Sequence, residues 1–216
     1  MADVIFWDVD TQHDFMVPDG KLYVPDAEHI APQLKHLTEF AREADIVIVA
    51  SVCDHSMDDE ELSETPDHVN TFPPHCLRNA PGAKKIPATA MKSPVVIENE
   101  PLDPEKVRLS VEDHDGEILI KKQCFDVFTN PNTLAVIQAL APDHAVLYGV
   151  ALDDGDRMAI EGLLDMGGIT VHLVTDAVKA IRPERTEELL EDWRSRGVKM
   201  TTSEEIVDKG YLDSLP

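Results

Sequence analysis

The sequence predicts an α/β protein: a three-layer α/β/α sandwich around a six-stranded, mostly parallel sheet, in one domain spanning residues 1–216. Three observations predict it. Short apolar runs alternate with helix-period segments, the pattern that a sheet with crossover helices requires. The runs are continuous, as strands buried on both faces read. Finally, 216 residues suffice for an ample core, and no repeat, low-complexity tract or linker divides them.

The elements follow in order. Val4–Trp7 is the first buried strand and ends at Asp8-Val9-Asp10. Residues 27–44 read as an amphipathic helix with Ile30, Leu34, Leu37 and Phe40 on one face. Ile46–Ala50 is the second strand. Residues 84–116, with several prolines and acids, read as a loop-rich excursion over the pocket with one short strand at Val95–Ile97. Ile118–Ile120 is the third core strand. Thr129-Asn130-Pro131 caps a helix expected to turn Leu134, Ile137 and Leu140 inward. Ala145–Tyr148 is the next strand, followed by a tight turn and a helix with Met158, Ile160, Leu163 and Leu164 on one face. Ile169–Thr175 is the fifth strand, residues 184–196 the last long helix, and Val198–Thr201 the sixth strand.

Composition narrows the function. With 42 acidic against 19 basic residues the formal charge is −23, which repels nucleic acid and anionic membranes. Eleven lysines count against a salt-adapted surface. No opening segment reads as a signal peptide, and no apolar run approaches the roughly 18 residues of a membrane span. Cys53, Cys76 and Cys124 are an odd, sparse set, expected as reduced thiols in the cytoplasm.

The turn at Gly149-Val150-Ala151-Leu152-Asp153-Asp154-Gly155 lies at the carboxyl end of its strand and opens a helix. Such a junction is where open α/β sheets bind ligands, and its amides suit an anionic or polarised oxygen. The segment GVALDDGDRMAIEGLLDMG resembles the isochorismatase-like hydrolase superfamily, in which nicotinamidases carry GVATDxCVxxTAxxAxxxG. The family's nucleophilic cysteine would stand at position 155, and this chain has Gly155. The resemblance also implies a cis peptide at Val150–Ala151 that aims an amide at the substrate oxygen.

It extends over about residues 3–205. Asp10, Gln12, Asp14, Phe15, Gly20 and Leu22 match the opening strand, D-x-Q-x-D-F and G-x-L, and imply that Asp10 is the general acid/base, with Phe15 against the substrate. Phe72-Pro73-Pro74-His75-Cys76 with Pro81-Gly82-Ala83 resembles the nicotinamidase metal-loop region. That likeness places His55 and His75 at two ligand positions, with Cys53 where the family has Asp and Glu61 where it has a further His. Such a set suits a divalent metal, zinc or iron; zinc accepts sulfur, nitrogen and oxygen. The alternative is an eroded site with Cys53 packed and Glu61 solvated. Asp54 is one position from the usual carboxylate, and His68 reads as a loop histidine. Phe72, in place of the family's Trp, would wall the pocket for a flat ring. Lys122-Gln123-Cys124-Phe125-Asp126-Val127-Phe128 resembles K-x-x-x-S-x-F, which makes Lys122 the catalytic lysine and Lys121 its outward neighbour. Cys124 has no role in that pattern and reads as a packed thiol.

Without the cysteine three readings stand. Water adds after proton transfer from Asp10, as in isochorismatases proper, which also carry glycine there. Alternatively, the chain is a catalytically silent relative that binds a small cyclic amide or acid. Or a metal held by His55, His75 and Cys53 or Asp54 replaces the thiolate chemistry. Asp154 and Asp156 are additions to the family pattern, read as helix caps or cation ligands. The resemblance further implies a small-molecule substrate and a homo-oligomer, a dimer or tetramer.

Overall fold

The apolar runs Val4–Val9 (β1) and His144–Val150 (β5) lie side by side at the middle of the sheet, and every residue of β5 is buried. The computed structural model describes residues 4–114 and 116–215. The remaining strands are Val47–Cys53 (β2), Val95–Ile97 (β3), Glu117–Lys122 (β4), Thr170–Lys179 (β6) and Lys199–Thr201 (β7). All pair in parallel, in the order β3-β4-β2-β1-β5-β6-β7. The sheet therefore has seven strands, not six. The excess is Val95–Ile97, which leaves the excursion to pair along β4 as an edge strand; three residues are too few to announce a sheet member by pattern.

Helices cover both faces. On one, Ala31–Glu43 (α2) buries Leu34, Leu37 and Ala41 with Phe6 and Tyr148, and Ser203–Asp208 (α7) adds Ile206. On the other lie Pro104–Glu112 (α3), Thr133–Leu140 (α4), Gly155–Met166 (α5) and Thr186–Ser195 (α6). Their buried residues join Ile5, Trp7 and Val9 of β1 in a second cluster. A four-residue helix, His13–Met16 (α1), follows β1 directly. No helix among the described residues is long and apolar enough to cross a membrane.

Three expectations are corrected here. Residues 27–44 are not one helix: a 3-10 turn at Ala27–Ile30 precedes α2, whose first turn contains Pro32. The excursion contains α3, capped by Asp103 accepting from the Glu105 amide and anchored by only Val107 and Val111. Leu134 points outward and is 48% exposed, whereas Val136 takes the inward place beside Ile137. The reason is the start of α4: Asn130 accepts from the Asn132 amide, so the helix begins at Thr133 and its inward stripe shifts.

Two close approaches set the site's frame. β1 and β5 are adjacent, yet the chain leaves them towards opposite edges of the sheet, so their carboxyl ends mark the switch point where ligands bind in such sheets. At that level a Cβ on Gly149 would lie 2.1 Å from the Val9 carbonyl oxygen, so only glycine lets β5 close on β1. Asp10 then takes φ +50°, which turns the chain off the strand and into the site.

Candidate active site and metal centre

Asp10, at the end of β1, and Lys122, the last residue of β4, meet behind the end of β2. Lys122 Nζ lies 2.7 Å from Asp10 Oδ2 and donates to Cys53 Sγ at 3.1 Å and the Cys124 carbonyl at 3.1 Å. Lys122 is fully buried. Burial alone would discharge it, but the Asp10 carboxylate and the Cys53 sulfur outweigh that and hold the ammonium above its ordinary range. Burial pushes the Asp10 carboxyl up, against the pull of Lys122. Asp10 Oδ1 has no hydrogen-bond partner among the described residues. Lys121 points the other way, to Glu98 and Asp54.

Gly155, the first residue of α5, stands against this pair. A Cβ there would lie 2.8 Å from Asp10 Oδ2, 3.3 Å from the Val150 carbonyl oxygen and 3.3 Å from Val9 Cγ1. The Asp10 carboxylate thus uses space that any side chain at 155 would need, so the glycine is matched to its surroundings. The Val150–Ala151 peptide is cis.

The aspartates around Gly155 do not cap the helix. Asp153 accepts from the Ile181 and Arg182 amides and from Arg182 Nε, clasping the loop after β6. Asp154 is at the cap position without a capping bond and faces Arg182 at 3.4 Å. Asp156 is fully buried with neither carboxyl oxygen bonded among the described residues.

Phe15, Leu22, Val24, Phe125, Val150, Ala151 and Ile181 join Asp10, Asp154 and Gly155 around a cleft with room for about one water, ≈ 10 Å³. Phe15 lines it as the sequence suggested. Phe72 does not: its ring stands behind Phe125, 4.7 Å away and nearly edge-on, because its backbone pairs with Leu62 and holds the Glu61 loop. Phe125 falls at an unmarked position of the sequence pattern, and its part depends on how residues 123–126 fold over the cleft.

The second cluster lies on the other side of Lys122. Cys53 Sγ and one ring nitrogen each of His55 and His75 all lie within 4.8 Å of one another, and all three residues are buried. Glu61 Oε1 is 3.7 Å from both His55 Nε2 and His75 Nε2. Those three atoms have no hydrogen-bond partner among the described residues. The opposite ring nitrogens are occupied: His55 Nδ1 by Asp59 at 3.2 Å, and His75 Nδ1 by the Pro73 carbonyl at 2.9 Å. That leaves both Nε2 lone pairs aimed inward, the orientation seen when a histidine ligates through one nitrogen and is steadied through the other. Two bonds of about 2.1 Å to one ion at a tetrahedral angle put their donors about 3.4 Å apart, close to the Glu61 separations. Cys53, His55 and His75 are thus a donor set of the zinc-binding kind, with Glu61 beside the two histidines. Burial lowers both histidines, His75 to about 4, which keeps them neutral, and raises Glu61 to about 7. Burial also pushes the Cys53 thiol up, against the nearby Lys122 charge. Asp54 is not in the set, since it turns to Arg78 at 2.9 Å and Lys121 at 3.4 Å. His68 is exposed on its loop, and Cys124 is half-buried against Thr129.

Comparison with known proteins agrees with this architecture. Residues 8–205 match the isochorismatase domain family. The fold is similar to the zinc-complexed pyrazinamidase of Pyrococcus horikoshii (TM-score 0.73, 24% identity, 93% of this chain and 99% of that one). It is also similar to an isochorismatase family protein of Desulfovibrio vulgaris (0.75, 20%, 98% and 100%) and to N-carbamoylsarcosine amidase of Thermoplasma acidophilum (0.70, 19%, 94% and 98%). No curated protein matches the sequence. On its sequence match and its fold together, the chain belongs to the isochorismatase family of hydrolases.

Proposed function

We propose that this protein is a thiol-independent member of its family, a hydrolase for a small neutral carbonyl compound of the amide or ureido class. Asp10 is its proton-transfer group, Lys122 the charge partner of Asp10, and Cys53, His55, Glu61 and His75 hold a divalent ion, with zinc the best chemical match. The observation that carries this is the convergence of three buried, unpartnered atoms (His55 Nε2, His75 Nε2 and Glu61 Oε1) beside an Asp10–Lys122 pair that faces no thiol at position 155. A bound zinc ion supplies Lewis acidity that polarises a carbonyl.

The protein's own groups do the rest. Lys122 keeps a full positive charge beside Asp10 and offsets negative charge that develops there. Asp10, with Oδ1 free of partners, holds or releases the proton. Phe125, Phe15 and Ile181 exclude water and must part to admit a ring, because the cleft as it stands holds about one water.

Electrostatics selects among the readings. The charged groups that line the cleft are Asp10 and Asp154, both acidic. A dianionic acid would meet like charge in the lining itself, which disfavours an isochorismate-like substrate. The narrow cleft favours a second reading, a ligand-binding relative without turnover.

The test is a turnover assay on nicotinamide, ureido and vinyl-ether compounds, run with Asp10→Asn and with Cys124→Ser. Amide or ureido hydrolysis lost on Asp10→Asn and kept on Cys124→Ser is the expected result. No turnover on any of the three classes contradicts the hydrolase reading and supports the binding one.

A further inference from the structure

The face that α5 turns to the sheet carries a carboxylic acid among its apolar residues. Asp156, Ala159, Ile160 and Leu163 are all buried along one side of the helix, and the last three belong to the apolar cluster beneath it. Both oxygens of Asp156 are without hydrogen-bond partners among the described residues. The sheet face beneath has two more such groups, Trp7 Nε1 on β1 and Ser51 Oγ on β2. Trp7 pairs with Val49 and Ser51 with Val9, so all four share the face that α5 covers. Asp10 Oδ1 is a further unpartnered atom. The neighbouring Gly155 approaches Asp10 so closely that a Cβ there would lie 2.8 Å from its Oδ2.

The charges facing Asp156 decide its state. Asp10 acts on it from the end of β1, Asp153 from the turn before α5 and Lys122 from β4, while Asp8 lies on the opposite face of the sheet beside Ala50 and Tyr148, paired with Lys85 at 3.0 Å. The two nearer acids already hold cations, Asp10 with Lys122 at 2.7 Å and Asp153 with Arg182 at 2.9 Å, and Asp156 is left without one. A helix N-terminus favours an anion by less than the burial of an unpaired one disfavours it. Burial first, then the charges of Asp10 and Asp8, hold this carboxyl well above its ordinary range.

We propose that Asp156 is a positioning residue that carries a proton in the folded protein at neutral pH, so that the two carboxyls flanking Gly155 divide into a neutral acid (Asp156) and an ionised partner (Asp10) whose titration Asp156 sets. The assignment rests on Asp10 being the proton-transfer group proposed above. While Asp156 is neutral it adds no repulsion to Asp10; once it ionises, its charge pushes the Asp10 proton on more tightly. No bond other than O–H changes, and the proton exchanges with solvent.

The test compares wild type with Asp156→Asn, which is nearly isosteric and always neutral. Infrared spectroscopy at pH 7 should show a protonated-carboxyl C=O band in wild type that disappears in Asp156→Asn. Carbon-13 NMR of the aspartate carboxyls should show Asp10 titrating in one step in Asp156→Asn and in a displaced or two-step curve in wild type. Asp156→Val supplies a second check, because a raised carboxyl costs stability that grows as pH rises above the ordinary carboxyl value. Its Tm advantage over wild type should therefore be larger at pH 8 than at pH 4. A wild-type spectrum without the band at pH 7, or identical Asp10 curves in the two proteins, would overturn the assignment. The two readings fail separately: absent turnover with the band present contradicts the hydrolase alone, and a missing band with turnover present contradicts the role of Asp156 alone.

Discussion

The protein has two buried histidine pairs, and they are built in opposite ways. At the amino edge of the sheet, His144 Nδ1 and His172 Nε2 hydrogen-bond at 2.9 Å, and His172 Nδ1 continues to the Tyr211 hydroxyl at 2.9 Å. That chain ties the C-terminal segment to β5 and β6 and leaves neither nitrogen of His172 open. At the carboxyl edge, His55 and His75 stand with ring centres 4.7 Å apart and do not bond each other. Their Nε2 atoms face Glu61 instead, steadied from behind by Asp59 and Pro73. Burial of an unpartnered polar atom costs on the order of 1–3 kcal/mol, so a cluster of them persists in a fold where something else satisfies it. The first pair closes on itself, and the second leaves its inward atoms unpartnered, which is what the proposed metal site rests on.

The largest expected effect breaks this comparison directly. His75→Ala should weaken zinc binding by roughly 100-fold or more, whereas His172→Gln should leave it unchanged, both read by calorimetric titration. Equal losses would mean that the two pairs do not differ in kind. Next in size is Lys122→Met, which leaves Asp10 buried without its counter-charge and should cost about 3–5 kcal/mol in denaturant unfolding. A loss below about 1 kcal/mol would show that Asp10 is not held as an anion by this lysine. Gly155→Ala introduces a Cβ at 2.8 Å from Asp10 Oδ2, close enough to force a shift, and should cost about 1–3 kcal/mol. If Gly155→Ala proves neutral, the Asp10 carboxylate moves more freely than the Lys122 contact suggests.

The smallest effect is a pH slope. Burial, then the charges of His144 and Lys199, lower His172 to about 4. Its folded value lies below the ordinary one, so the unfolded chain binds more protons. The contribution is whole above about pH 6.5 and is lost as pH falls towards 4. His172→Gln should flatten that part of the stability curve, measured by Tm across pH 4–7.

Much of this was legible in the sequence because the informative residues are neighbours in the chain. DTQHDF, FPPHC and GVALD each put their side chains at a strand end or on the loop beside it, so motif and place coincide, and Asp10 and Lys122 meet at 2.7 Å as that reading required. What was not legible depends on packing between distant segments. Phe125 lines the cleft only because its loop folds over Phe72, and α3 has just Val107 and Val111 to give it away. Val95–Ile97 reads as a short strand in the sequence, but only β4 beside it makes it a member of the main sheet. Asp156 is the instructive case, since its position at a helix start suggested a cap. Its spacing of three, four and seven from Ala159, Ile160 and Leu163 already placed it on the inward stripe. The Thr202/Glu205 capping box likewise announced α7 in a segment where no helix was read.

The proposed function depends on Cys53, His55 and His75, with Glu61 beside them, holding a divalent ion. The most direct measurement is a zinc titration of the metal-stripped protein at neutral pH, followed by calorimetry and by the shift in Tm. One ion per chain is expected, with a Tm that rises with zinc concentration as ligand binding to the native state requires, and loss of both signals in His75→Ala. No saturable binding, or binding unchanged in His75→Ala, would contradict it.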